Sequence, residues 1–240
     1  MIGILMSPTI PEITIDAPIR VALFVDSGVG ESGIEHVEKV LKPFPSIHIT
    51  RVSAEDISNG ALDAHDVLIC SGGAGHEQAL TLHEAGLGAI RTFVENGGGY
   101  IGICAGAYLA VSGYDWSLKI INAKKVVADE WERGKGFVDI ELTDEGRKVF
   151  GDVGGTFSCR YGNGIIVTND EHSSLPSATP LAYFRTEVAE NGTTKGAMIN
   201  TPAIISAQYG KGKVMAVSPH IEDSVGLEYA LPRAVVFVSS

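Results

Sequence analysis

The chain has 240 residues and only three cysteines, Cys70, Cys104 and Cys159. Three thiols give no disulfide framework and fit a reducing compartment better than an oxidising one. Basic residues are scarce as well: 18 Lys and Arg stand against 29 Asp and Glu, for a net charge of −11 at pH 7. A nucleic-acid partner is therefore not expected, because phosphates would be repelled; the acidity serves solubility. Hydrophobic residues make up 45% of the chain, yet no apolar run approaches the roughly 20 residues of a membrane span, so no membrane association is expected. The seven histidines are scattered without the tight His/Cys spacing of a metal site, so neither metal nor other cofactor is expected. Residues 1–18 lack a basic stretch before their apolar residues and do not read as a signal peptide. The expectation is a cytoplasmic protein; a chain whose leader had been removed would read the same way.

What is present alternates. Strands are expected over residues 21–26, 47–52, 67–70 and 100–103, with helices over 33–41 and 76–95 between them. This βαβ rhythm predicts an α/β fold of the flavodoxin-like, doubly wound kind, with a mostly parallel sheet and helices on both faces. After residue 120 the pattern turns β-rich, with strands expected over 137–142, 165–168, 181–188, 195–199, 204–209 and 213–217. A tight hairpin is expected at Tyr209-Gly210-Lys211-Gly212-Lys213, and a closing helix over 224–238. Residues 1–19, with three prolines, read as an N-terminal arm, and residues 20–240 as one domain.

Three segments carry chemistry. Gly102-Ile103-Cys104-Ala105-Gly106 lies where an apolar strand gives way to a small-residue helix start. A Gly-x-Cys-x-Gly at such a junction is the thiol form of a nucleophile elbow: the glycines permit the sharp turn, and the helix N-terminus favours the thiolate. The bland alternative is a buried, inert cysteine, which needs no flanking glycines. Far downstream, an apolar strand ends in Pro219-His220-Ile221-Glu222. His220 can take the thiol proton while Glu222 fixes its tautomer. Both groups follow strand carboxyl ends, where ligands bind in an open parallel sheet. The third segment, Ser71-Gly72-Gly73-Ala74-Gly75, follows the strand 67–70; the N–H of Gly73 and that of Ala105 are the expected oxyanion donors.

Gly28-Val29-Gly30-Glu31-Ser32-Gly33 spells a dinucleotide fingerprint, but Asp26 and Ser27 intervene after the strand and Glu31 would face the phosphates. A glycine loop on the rim of the cysteine cleft is the better reading. Gly72, Tyr108, Arg160, Tyr161 and Asn163 are candidate substrate-binding residues. Arg160 suits a carboxylate through its bidentate fork. A rigid turn stabilised by the asparagine accounts for the Arg160–Asn163 segment equally well.

The order of glycine loop, cysteine elbow and His-x-Glu pair resembles the class I glutamine amidotransferase-like superfamily. Within it the chain is more similar to the biotin-protein ligase N-terminal-type domain, through Trp131-Glu132-Arg133-Gly134-Lys135-Gly136, Leu142-Thr143-Asp144-Glu145-Gly146, Arg160-Tyr161-Gly162-Asn163-Gly164 and Gly210-Lys211-Gly212-Lys213-Val214. The resemblance implies a hydrolase of C–N bonds acting through an acyl-enzyme at Cys104, on a small-molecule amide or carboxylate. It departs at Tyr108, where glutamine-hydrolysing members commonly carry Gln, so amide cleavage is better supported than glutamine as substrate. No synthase or ligase domain is legible downstream, and any ammonia acceptor is expected on a separate protein. The alternative is a non-catalytic small-molecule-binding or regulatory domain that retains the cleft.

Overall fold

Alternation along the first strand decides where the helices go. In β1 (Ile19–Phe24), Val21 and Leu23 enter one apolar layer while Ala22 and Phe24 enter the other. The same division recurs in β3 (Val67–Cys70), β4 (Gly99–Ile103) and β11 (Gly212–Val217). Strands covered on both faces read as unbroken apolar runs, which is why these segments look so uniform in the sequence. One layer holds α1 (Glu31–Leu41), α5 (Asp144–Phe150) and α6 (Ala230–Val238); the other holds α2 (Ala54–Ser58), α3 (Gly75–Glu95) and α4 (Ala105–Ala110).

The computed structural model describes residues 13–152 and 154–240. Most of the arm expected over residues 1–19 lies outside the described residues; Ile13 and Ile15 pack against the core, and Ile19 already belongs to β1. Among the described residues no helix is long and apolar enough to cross a membrane.

Among the described residues the main sheet has nine strands in the order β2-β1-β3-β4-β11-β10-β9-β6-β7, where β2 is Ile47–Val52, β6 Lys135–Leu142, β7 Thr156–Gly162, β9 Thr179–Phe184 and β10 Pro202–Tyr209. The pairings from β2 through β11 are parallel. Those from β11 through β7 are antiparallel. The doubly wound fold and the β-rich C-terminal half are both as expected. Two short strands, β5 (Lys124–Lys125) and β8 (Val167–Thr168), form a separate ribbon. The β10–β11 hairpin closes through Gly210-Lys211, and Gly210 at φ +58° supplies the positive φ such a two-residue loop needs.

Several expected elements differ. Residues 195–199 form turns rather than a strand, with Gly196 at φ +80° and Asn200 at φ +64°; buried Met198 is an anchor of that loop, not part of an alternating face. The strand expected over 181–188 ends at Phe184. The closing helix begins at Ala230, because residues 224–229 turn first. β7 is an added strand: the turn read at its Arg-Tyr-Gly-Asn end belongs to Asn163, at φ +55°, one residue beyond it. α5 is also additional, capped by the Thr143 side chain accepting from the Gly146 N–H.

Candidate active site

The carboxyl ends of β3, β4 and β11 converge because these strands are adjacent and parallel. Cys104 follows β4 directly, with φ +52° and ψ −100°, a backbone state that side-chain-bearing residues rarely adopt. The glycines around it answer to close contacts. A Cβ on Gly102 would stand 2.2 Å from the Gly106 carbonyl oxygen, and one on Gly106 would stand 2.0 Å from that of Cys70. The Cys104 N–H donates to the Val217 carbonyl at 2.8 Å, which ties the elbow to the strand that leads to His220. The thiol is only 6% exposed, and Sγ lies 3.4 Å from the Gly162 carbonyl oxygen.

His220 sits just past β11, where its N–H donates to the Arg160 carbonyl at 2.8 Å. Its ring passes over Gly72 so closely that a Cβ there would meet Cε1 at 2.8 Å. Nδ1 lies 2.8 Å from Glu222 Oε1, in a carboxylate that is buried. Burial lowers the proton affinity of the His220 ring; hydrogen bonds to Cys104 and Glu222, and the charges of both, more than reverse this and raise its pKa to about 10. Imidazole and carboxylate thus form a hydrogen-bonded pair in the cleft that Cys104 also lines.

The two residues expected to supply oxyanion donors both reach the cleft. Gly73 and Ala105 both line it, and among the described residues neither N–H has an acceptor. Gly73 holds φ +146°, and a Cβ there would fall 2.1 Å from the Gly28 carbonyl oxygen. The fingerprint-like glycine loop is the reason. Gly30 N–H donates to Gly72 and Ala74 N–H to Gly28, both at 2.8 Å, so the loop clamps the Gly72–Ala74 backbone and contributes Gly30 and Gly33 to the rim.

Of the five candidate substrate-binding residues, Gly72, Tyr108, Arg160 and Asn163 line a cleft of about 560 Å³. Tyr108 donates to the Asn163 carbonyl at 3.0 Å, and Asn163 Oδ1 accepts from the Gly134 N–H at 2.7 Å. Arg160 pairs with Asp223 at 2.9 Å. Tyr161 is not at the cleft: alternation along β7 turns it into the core, where it is 1% exposed and donates to Gly164 at 2.6 Å. The sequence reading missed an aromatic wall. Tyr114 and Trp116 stack at 4.6 Å, and His76 lies 5.4 Å from Trp116. It also missed Lys125, Lys135 and Trp131 as lining residues. Two aromatics two positions apart just after the elbow helix, in a stretch rich in polar residues, were the available signal. The loop carrying Trp131 is anchored by Arg133, which is 1% exposed, binds Glu130 at 2.8 Å and donates to the Thr194 carbonyl at 2.9 Å.

The fold gives the class first: an α/β protein with a doubly wound sheet that matches ThuA-like solved structures. More particularly, residues 19–130 match the family model described as biotin-protein ligase, N terminal. A protein of Chlamydia muridarum, described as an uncharacterized protein, is 26% identical over 218 residues, spanning 85% of this chain and 80% of its own. A solved structure described as a putative ThuA-like protein from Bacteroides uniformis matches with a TM-score of 0.64 at 14% identity, covering 95% of this chain and 94% of that one. A cytoplasmic protein of Salmonella typhimurium matches with a TM-score of 0.59 at 12% identity, over 92% and 98% of the two chains. At such identities the solved structures speak for the fold alone.

Proposed function

We propose that the chain is a cysteine amide hydrolase that works through an acyl-enzyme at Cys104. The observation that carries this reading is the strained backbone of Cys104, at φ +52°, beside a histidine that is itself held 2.8 Å from a buried glutamate. Strain of this kind costs about 1–3 kcal/mol and persists where function uses it. A merely structural cysteine has no need of it.

In the proposed cycle the Cys104 proton is held by His220 before the substrate arrives, and the thiolate sulfur attacks the amide carbonyl carbon. The Gly73 and Ala105 N–H groups receive the oxyanion. The tetrahedral adduct collapses, the C–N bond breaks, and the His220 proton leaves with the amine. Water, deprotonated by His220, then attacks the thioester; the sulfur departs and the acid is released. The raised proton affinity of the His220 ring suits it to hold that proton until the amine leaves.

The test is covalent. The protein is incubated with 4-nitrophenyl acetate, digested and mapped by mass spectrometry. An acetyl group should appear on Cys104, and it should be lost in Cys104→Ala and slowed at least about tenfold in His220→Ala. Labelling spread evenly over the cysteines, or unaffected by His220→Ala, would sink the triad and leave a binding cleft in its place.

A further inference from the structure

The cleft opposes the charge of the molecule around it. The chain carries −11, yet among the described residues Glu222 is the one carboxylate lining the cleft, and it faces His220. Lys125, Lys135 and Arg160 line the same space. Arg160 is engaged by Asp223, but neither Lys125 nor Lys135 has a carboxylate within ion-pair distance among the described residues. Lys125 Nζ instead stands 5.1 Å over the Tyr114 ring. Lys135 is opposite Gly162 in the β6–β7 register. Its Cγ and His220 Nε2 each lie 3.8 Å from one point, the position of a Cβ on Gly162. An unpaired ammonium therefore springs from beside the reacting groups.

The aromatic wall starts beside the elbow helix. The place a Cβ would take on Gly75 is 2.9 Å from the Ala105 carbonyl oxygen and 3.5 Å from Trp116 Cη2. From there Trp116 and Tyr114 continue outward as a stacked pair. The elbow thus has a flat apolar surface and an unpaired cation within reach of one small molecule.

We infer that the substrate of the proposed hydrolase is an N-aroyl amino acid, an aromatic ring joined through an amide to a carboxylate-bearing amine. The ring lies on the Trp116–Tyr114 face, the amide carbonyl meets Cys104, and the carboxylate pairs with Lys135. Cleavage adds one water across the C–N bond and yields an aromatic acid and an amino acid. The inference rests on the hydrolase reading for the chemistry, but its recognition half stands without it.

Binding is measured by calorimetry in Cys104→Ala, which cannot turn the ligand over, with three probes: hippurate, its neutral analogue hippuramide, and N-acetylglycine, which lacks the ring. Hippurate should bind about tenfold or more tightly than hippuramide, as a charge-assisted contact allows. Lys135→Met should erase that margin, while Trp116→Leu should erase the margin over N-acetylglycine and keep the preference for charge. Equal binding of hippurate and hippuramide, a margin that survives Lys135→Met, or no binding of hippurate at about 10 mM would each overturn the inference. A separate assay follows glycine release from hippurate by the unaltered protein. Binding as described with no glycine released would defeat the hydrolase reading and leave the recognition site standing.

Discussion

His220 and Tyr108 each tie a single side chain to a measurable property. The His220 ring has its proton affinity raised from 6.5 to about 10 on folding. Between those pH values the folded chain holds a proton that the unfolded chain lacks. The stability contributed by this group is therefore complete below pH 6.5 and is lost as the pH rises through about 10. Glu222 supplies a hydrogen bond and a charge toward that affinity, so Glu222→Gln should lower the midpoint of the His220 ring-proton titration followed by NMR. A midpoint that stays in place would detach Glu222 from the His220 ring. Tyr108 bears on substrate choice. Its hydroxyl is committed to the Asn163 carbonyl and its ring lies 6.0 Å from Tyr114, so it extends the aromatic wall where an amide side chain would otherwise serve glutamine. Free glutamine should be a poor substrate, with ammonia release far below the usual enzyme scale of ~10 s⁻¹. Turnover at that scale would show that Tyr108 does not define the site.

The elements are held together by backbone contacts that glycine alone permits, and two glycines separate packing from propensity. Gly106 presses α4 onto the end of β3, with a Cβ position 2.0 Å from the Cys70 carbonyl oxygen. Gly106→Ala has no flexible neighbour to displace and should destabilise by about 1–3 kcal/mol, with the elbow shifted. Gly88, inside α3, has nothing within 4 Å of its Cβ position. Gly88→Ala should stabilise by about 0.5–1 kcal/mol through helix propensity. Urea denaturation of both variants checks the pair, and matching signs would refute the packing argument. The same distinction explains what was legible beforehand. β2 and β3 coincide with the expected residues 47–52 and 67–70, and the elbow with its strand-to-helix junction, because buried parallel strands and obligatory glycines leave local marks. The antiparallel half left fewer. Met198 and Tyr161 are apolar and buried, yet one sits in a turn and the other in a strand, and only the long-range pairing of β6, β7 and β9 decides which. The aromatic wall and Lys135 reach the cleft from a loop and a strand end that no periodicity marks.

At the scale of the molecule, the parallel and antiparallel halves share one sheet. β4 is buried along its whole length and lies between β3 and β11, and β11 arrives from residues 212–217 after the chain has built the antiparallel strands. The layer that contains α1 and α6 joins Ile101 and Ile103 of β4 with Val138 and Ile140 of β6, Cys159 of β7 and Phe184 of β9. The family-model match, residues 19–130, stops inside this arrangement. A fragment cut to those residues would leave β4 as a long apolar edge with unpaired N–H and C=O groups, and would remove one side of the layer that covers it. It would also lack His220 and Glu222, both of which follow β11. We propose that residues 20–240 unfold as a single domain. Calorimetry of the intact chain should show one transition with calorimetric and van't Hoff enthalpies in agreement, while the 19–130 fragment should aggregate or show no cooperative melt. Two separate transitions in the intact chain, or a fragment that melts cooperatively as a monomer, would show that the matched segment is an independent unit. The cysteine elbow would then belong to a domain able to fold without its histidine, and the triad would have to be assembled across an interface.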